Sequence, residues 1–489
     1  MSAPSPAPLP SIRALLQSFA RRETRPIDVL DHCLDAIRRN DSAVNALPTR
    51  RPDDELRAQA ELAGTAIAAG EPVGALAGLP YAAKDTHRTA GLRTTRGSPI
   101  FAHDVPDAND PVVQRLLDAD ALLVGKSNTP EFAAGSQTFN PVLGTTRNPW
   151  DLRRTVGGSS GGAAAALATG MVLVADGSDL AASLRNPASF CGVVGLRPTS
   201  LADPSLAMSA NAFSTLSMVG PLARGVDDLR LVRRAIFEPA ARRPIAAWAD
   251  ALAQETRATG RGGEHPPVPA RELRIAWSLD GGGSMPVAPA VRDALAQVVS
   301  QLRAAGVRLT EAAPAFEGAD ECFQVLRGEY FVEMLGDLYR TEKARMKDTV
   351  VWNVEYGLSL TAQAIAHAAL ARTRIFERFR AFLDGYDTWL LPTAQVLPFP
   401  IDVAYPTEIG GRPMRTYIDW LASCYHVTLT GHPALSLPAG FARDGDATLP
   451  VGLQLVGHWG RDEVLLDAAE TIESLLAPRL KAQRPTMAG

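Results

Sequence analysis

Two serine-bearing turns made of small residues lie close together in this chain: Gly157-Gly158-Ser159-Ser160-Gly161-Gly162 and Asp179-Leu180-Ala181-Ala182-Ser183. One helix–strand unit separates them. Small residues let the backbone approach a ligand closely and turn several N–H groups toward one point. Such a turn can hold an anion, including the oxyanion that forms when a nucleophile attacks an acyl carbonyl.

Three familiar motifs compete for these glycines. A phosphate-binding loop needs a glycine, four residues, then Gly-Lys-Ser/Thr. Gly125-Lys126-Ser127 supplies the second half, but Asp120 stands where the first glycine must be. A dinucleotide fingerprint needs GxGxxG after a strand, and none is present. Gly157-Gly158-Ser159-Ser160-Gly161 matches the GxSxG nucleophile elbow, which needs an apolar strand before it and a later acid and histidine. Here Asp151–Thr155 (DLRRT) precedes the turn, and His432 and His458 lack supporting context.

A fourth set of matches is far more specific. GGSSGG runs into an alanine-rich segment, then Gly177-Ser178-Asp179, two small residues before Ser183, Arg185, Pro187-Ala188 and GVVGLRPT (192–199). Upstream stand GLPYAAKD (78–85), VGKSNTPEFAAG (124–135) and GTTRNPWD (144–151); downstream stand GHPALSLPAG (431–440) and LPVGLQLVG (449–457). In order and spacing these resemble the amidase signature family over nearly the whole chain. The resemblance implies an α/β fold with a single large mixed, twisted sheet of about eleven strands surrounded by helices. It implies Ser183 as nucleophile, Ser159 as a bridging serine after a cis peptide bond, and Lys84 as base. The implied oxyanion hole is the backbone N–H set of Leu180, Ala181, Ala182 and Ser183, with Ala133 and Ser160 as substrate contacts. No metal or cofactor is required.

That chemistry is coherent. A serine hydroxyl is a poor nucleophile until an adjacent base takes its proton. A lysine serves only if burial lowers its pKa from about 10.4. Ser159 would relay the proton and return it to the leaving amine. Taken singly, a lysine at a strand end is a solvated cap and a serine among glycines is a turn former. The joint occurrence of all three blocks overturns both.

The nucleophile loop departs from the family pattern, which has two glycines where Ala181 and Ala182 stand. Alanine keeps its N–H, but the added methyls restrict φ and crowd the site. Asp179 and Arg185 are expected to form a structural ion pair, since arginine suits fixed bidentate pairing. His87 is expected to be a satisfied loop histidine, Cys191 an inert packing thiol. Phe132 and Ala133 fall where the family lines its acyl pocket. Trp352 and Tyr356, four apart on a helix, are expected in the core.

Several elements must position these residues. The spacing predicts helices over 11–39 with a break at Pro26, and over 53–69, 111–119, 161–169, 290–305 and 462–476. Strands are predicted at Tyr81–Ala83, ending at Lys84, at Ala121–Val124, Met171–Ala175 and Leu273–Trp277, and at 390–392. The apolar runs 433–439 and 449–456 are predicted to pair, while 319–383 reads as mostly helical. Residues 1–10 read as a mobile tail, 255–270 as linker-like, and 11–480 as one α/β domain with a helical insertion at about 240–385.

Composition narrows the function classes. With 489 residues, 46% of them apolar, the chain can bury a large core. A net charge of −4 leaves no basic footprint for nucleic acid or anionic lipid. The four cysteines form no CxxC, the N-terminus lacks a signal-peptide pattern, and no apolar run reaches membrane length; a cytoplasmic protein is expected. The function expected is an amidase that cuts a small-molecule amide to an acid plus ammonia or an amine. Alternatives are a carbamate (urethane) or ester hydrolase with the same triad, the glutaminase subunit of a tRNA-dependent amidotransferase, and an inactive binding protein on the same fold. A homodimer rests on the resemblance alone.

Overall fold

The computed structural model describes residues 9–200, 203–206, 211–238, 240–259 and 268–480. Most of the predicted tail and the centre of the linker-like stretch lie outside the described residues.

Eleven strands form one mixed sheet: β1 (Thr49–Arg50), β2 (Pro80–Lys84), β3 (Leu122–Ser127), β4 (Val174–Asp179), β5 (Val194–Arg197), β6 (Met218–Ala223), β7 (Arg274–Trp277), β8 (Arg308–Glu311), β9 (Thr388–Pro392), β10 (Ala434–Asp444) and β11 (Ala447–Val456). Their spatial order is β1-β3-β2-β4-β6-β5-β10-β11-β9-β7-β8. β2 runs parallel to both β3 and β4, and β7 to β8 and β9; the other pairs are antiparallel. The predicted pair of apolar runs is β10 and β11, joined by a tight turn at Gly445.

Helices cover both faces. α1 (Ile12–Ala20), α2 (Pro26–Val44), α3 (Asp53–Ala69) and α4 (Pro111–Asp118) precede the two serine turns. α5 (Gly161–Ala168) and α6 (Arg185–Cys191) start from those turns, followed by α7 (Val226–Phe237) and α8 (Ile245–Thr259). The later helices are α9 (Pro289–Ala304), α10 (Ala319–Glu342), α11 (Asp348–Leu358), α12 (Ala362–Leu383), α13 (Ala422–Thr430) and α14 (Asp462–Leu480). The stretch 240–385 thus supplies α8–α12 and also two strands of the main sheet. Among the described residues no helix is long and apolar enough to cross a membrane.

Strand alternation sets up the chemistry. Tyr81 and Ala83 pack into the layer that contains α1 and α4, and Ala82 into the layer that contains α2 and α5. Lys84, next in alternation, therefore emerges toward α5. α5 is buried on all sides, as its continuous run of small apolar residues requires. Its start can press against β3 because Gly162 has no side chain. A Cβ there would lie 2.3 Å from the Asn128 amide nitrogen and 2.7 Å from the Ala46 carbonyl oxygen.

β4 differs from the sequence prediction. It begins at Val174 and runs on through Asp176, Gly177, Ser178 and Asp179, residues that read as loop by composition. They are buried in a central strand because each polar side chain finds a partner there. Asp179 accepts from Arg185 Nε at 3.0 Å, Arg185 Nη2 at 2.9 Å and the Leu184 amide at 3.0 Å, with Arg197 also within ion-pair distance at 3.7 Å. Arg185 further donates to Gln454 Oε1, Thr428 Oγ1 and the Cys424 carbonyl, so one guanidinium ties β4 to β11 and α13.

Two outcomes test this framework. Gly162→Ala is expected to destabilise the chain by about 1–3 kcal/mol through backbone collision. Gly385→Ala, where a Cβ meets nothing within 4 Å, serves as the near-neutral control, both read by thermal melting. Arg185→Met, which leaves Asp179 with a much weaker partner, is expected to cost about 3–5 kcal/mol in chemical denaturation.

Candidate active site

Lys84 Nζ, fully buried, lies 2.7 Å from Ser159 Oγ, 2.9 Å from Ser178 Oγ and 3.0 Å from Ser160 Oγ. Its neighbours are hydroxyls, and no carboxylate pairs with it among the described residues. Burial pulls its pKa down to about 7, with Asp176 and Asp179 opposing the shift from a distance. A neutral amine here has a lone pair aimed into a ring of hydroxyls and can take a proton from Ser159.

Asp176 braces the strand end. It accepts from the Lys84 amide at 2.7 Å and from the Tyr81 hydroxyl at 2.8 Å, and its Oδ2 lies 2.9 Å from His87 Nδ1. Burial alone would raise its pKa; the His87 ring and these donors hold it below the usual carboxylate value. Sequence reasoning missed Tyr81, Asp176 and Ser178, because each reads as an ordinary strand or turn residue until the sheet register is known.

The Gly158–Ser159 peptide bond is cis. Ser159 is fully buried, whereas Ser183 is 8% exposed and its hydroxyl makes no hydrogen bond among the described residues. Lys84 and Ser159 are joined, but no hydrogen bond links Ser159 to Ser183. Ser160, expected as a substrate contact, is buried against Lys84 and does not line the cavity.

The loop after β4 has its acceptors turned inward. The Ala181 carbonyl accepts from Arg185 Nη2 at 3.0 Å, Ala182 from the Asn186 amide at 2.7 Å, and Ser183 from the Ser160 amide at 3.2 Å; Arg197 holds the Asp179 carbonyl. Among the described residues the N–H groups of Leu180, Ala181, Ala182 and Ser183 donate to no protein acceptor. A backbone arranged in this way presents donors to whatever oxygen occupies the site. Leu180, Ala181 and Ser183 line the cavity; Ala182, 1% exposed, does not.

The cavity holds about 420 Å³, suited to a small organic substrate. Phe132 and Ala133 line it, both with left-handed backbone at φ 49° and 57°. So do Tyr330, Phe331, Met334 and Leu335 of α10, which the sequence did not distinguish from core. Trp352 and Tyr356 stack on each other at 5.9 Å, with Trp352 part-exposed, and neither lines this cavity.

Rival motifs find no support. Gly125-Lys126-Ser127 is a buried part of β3, and Lys126 Nζ donates to the His87 carbonyl and Thr89 Oγ1. A short strand does precede Gly157, but it is polar and pairs outside the main sheet. His432 and His458 bond to the carbonyls of Thr430 and Tyr386, away from both serines. Arg185 and Asp179 form the expected buried pair and do not line the cavity. Cys191 is buried, and its thiol pKa is pushed far up.

Comparison with known proteins agrees with this geometry. The family model described as Amidase matches residues 28–466. A glutamyl-tRNA(Gln) amidotransferase subunit from Moorella thermoacetica is 33% identical over 473 residues, covering 93% of this chain and 94% of that protein. The acylamidase of Rhodococcus erythropolis is 31% identical over 472 residues, covering 95% of each. A solved bacterial aryl acylamidase of the amidase signature family superposes with a TM-score of 0.82 at 24% identity, over 99% of both chains. The chain belongs to the amidase signature family of hydrolases that act on carbon–nitrogen bonds.

Proposed function

We propose that this protein hydrolyses small-molecule carboxylic amides through a Ser183 acyl-enzyme. The observation that carries the proposal is the fully buried Lys84, poised near neutrality 2.7 Å from Ser159 Oγ beside a cavity that also exposes Ser183. Neutral Lys84 takes the Ser159 proton as Ser159 takes that of Ser183, and Ser183 Oγ attacks the acyl carbon. The developing oxyanion meets the unpaired N–H groups of the loop 180–183. Collapse of the tetrahedral adduct expels ammonia or an amine, protonated through Ser159 by the Lys84 ammonium. Water then attacks the acyl-enzyme and frees the acid. The Ser159–Ser183 link must close when substrate binds, as catalytic hydrogen bonds commonly tighten in the bound complex.

Carbamates and esters pass through the same tetrahedral oxyanion, so the catalytic groups accept them on equal terms. The relationship to amidotransferase subunits supports a second reading, in which the chain serves as a glutaminase within a complex. The two part on one assay. The isolated chain is expected to hydrolyse simple amides without a partner; turnover confined to glutamine and dependent on added subunits would replace the amidase reading.

Ser183→Ala and Lys84→Met are each expected to lower kcat by at least about 10³-fold with near-native melting temperatures. A Ser183→Ala variant with retained activity contradicts the assignment. The pH profile is set by Lys84, which must be neutral to act. Below about pH 7 the ammonium dominates, and kcat/KM is expected to rise about tenfold per pH unit toward that value, then level off. A profile that falls across the same window contradicts Lys84 as base.

A further inference from the structure

His87 follows Lys84 by three residues, and every polar atom of it but one is tied down. Its amide donates to the Lys84 carbonyl at 2.9 Å. Its carbonyl accepts from Lys126 Nζ and from Thr89 Oγ1, the latter at 3.1 Å. Its Nδ1 lies 2.9 Å from Asp176 Oδ2. Asp176 is an acceptor-only carboxylate, so Nδ1 carries the proton, and in that neutral tautomer Nε2 keeps a lone pair. That atom has no hydrogen-bond partner among the described residues. The residue is 1% exposed and lines the cavity shared with Ser159 and Ser183.

An unpaired buried acceptor costs about 1–3 kcal/mol, and turning the ring to recover it would break the Nδ1–Asp176 bond. A bound ligand with a donor can. The side of the site is also defined. Asp176 accepts from both the Lys84 amide and the His87 ring, which places the ring beside the base. The loop 180–183 collects the acyl oxygen. The leaving nitrogen faces the base side, since its proton comes from there.

Building on the amidase reading, we propose that His87 is a substrate-contacting, specificity-determining residue whose Nε2 accepts the N–H of the scissile nitrogen. The site is then matched to primary and secondary amides and to carbamates bearing N–H. Esters and N,N-disubstituted amides leave Nε2 unpaired. Asp176, Lys126 and Thr89 act as positioning residues for the ring.

The test compares kcat/KM on para-nitroacetanilide and on para-nitrophenyl acetate for wild type, His87→Asn and His87→Gln. Asparagine keeps a donor for Asp176 but places no acceptor at the Nε2 position; the longer glutamine amide does place one there. The anilide-to-ester ratio is expected to fall about tenfold in His87→Asn and to recover to within about threefold in His87→Gln. A ratio that does not move in His87→Asn overturns the inference, because a structural defect slows both substrates alike. If that variant fails to fold, wild type decides through the anilide and its N-methyl counterpart, each relative to its hydroxide-catalysed rate. A preference of about tenfold or more for the N–H compound is expected, and parity overturns the inference. Wild type that cleaves neither anilide nor ester refutes the amidase reading itself, whereas wild type active on both with an unmoved ratio refutes the role of His87 alone.

Discussion

Keeping one lysine sealed from water, without a carboxylate in contact, is the constraint on which the site depends. Lowering the Lys84 pKa from 10.5 to about 7 shifts its preference toward the neutral form by roughly 5 kcal/mol relative to water. A carboxylate at ion-pair distance would erase that preference. The fold therefore places two anions nearby and satisfies both elsewhere: Asp176 by Tyr81, His87 and the Lys84 amide, Asp179 by Arg185 and Arg197. The amine itself is left with three hydroxyls and, at 3.5 Å, the Ser178 carbonyl, and the hydroxyls can exchange a proton with it without fixing its charge.

The same arrangement shows how the central strands bring both serine turns together. β2 stops at Lys84 with its side chain toward α5, and the glycines before α5 allow Ser159 and Ser160 to reach the amine. β4 continues past Asp176 to Asp179, and the Arg185 anchor turns the carbonyls of the next loop inward. Among the described residues the loop's N–H groups are left without a backbone acceptor as a consequence. Replacing two glycines by Ala181 and Ala182 does not disturb this polarity, since the anchoring runs through carbonyls and through Arg185 and Asn186. The Ala181 methyl falls within the cavity wall and that of Ala182 within the adjoining core.

Much of the fold was legible in the sequence where pattern and packing coincide. The β10–β11 pair, the amphipathic α9 and the strand ending at Lys84 all follow from apolar periodicity bounded by turn residues. The limits of β4 did not, because Asp-Gly-Ser-Asp reads as a turn unless buried partners are known, and those partners come from β2, α6 and β5. The closeness of Lys84 to Ser159, and of Ser183 to the same cavity, was readable from motif context. Tyr81, Asp176 and Ser178 were not, since their roles exist only through register between strands that are distant in sequence. His87 was expected to be a satisfied loop residue, and three of its four polar groups are; the fourth emerges only from the three-dimensional census of donors. Ser160 illustrates the opposite error, a motif residue that turned inward to the lysine instead of outward to a ligand.

The most direct measurement is the site of covalent capture by a fluorophosphonate, mapped by mass spectrometry of the digested protein. A nucleophile at Ser183 with Lys84 as remote base predicts one adduct, on Ser183, formed faster as pH rises through about 7 and absent from Ser183→Ala. An adduct on Ser159, or labelling that survives Ser183→Ala, would contradict the account and make the buried serine beside Lys84 the nucleophile instead.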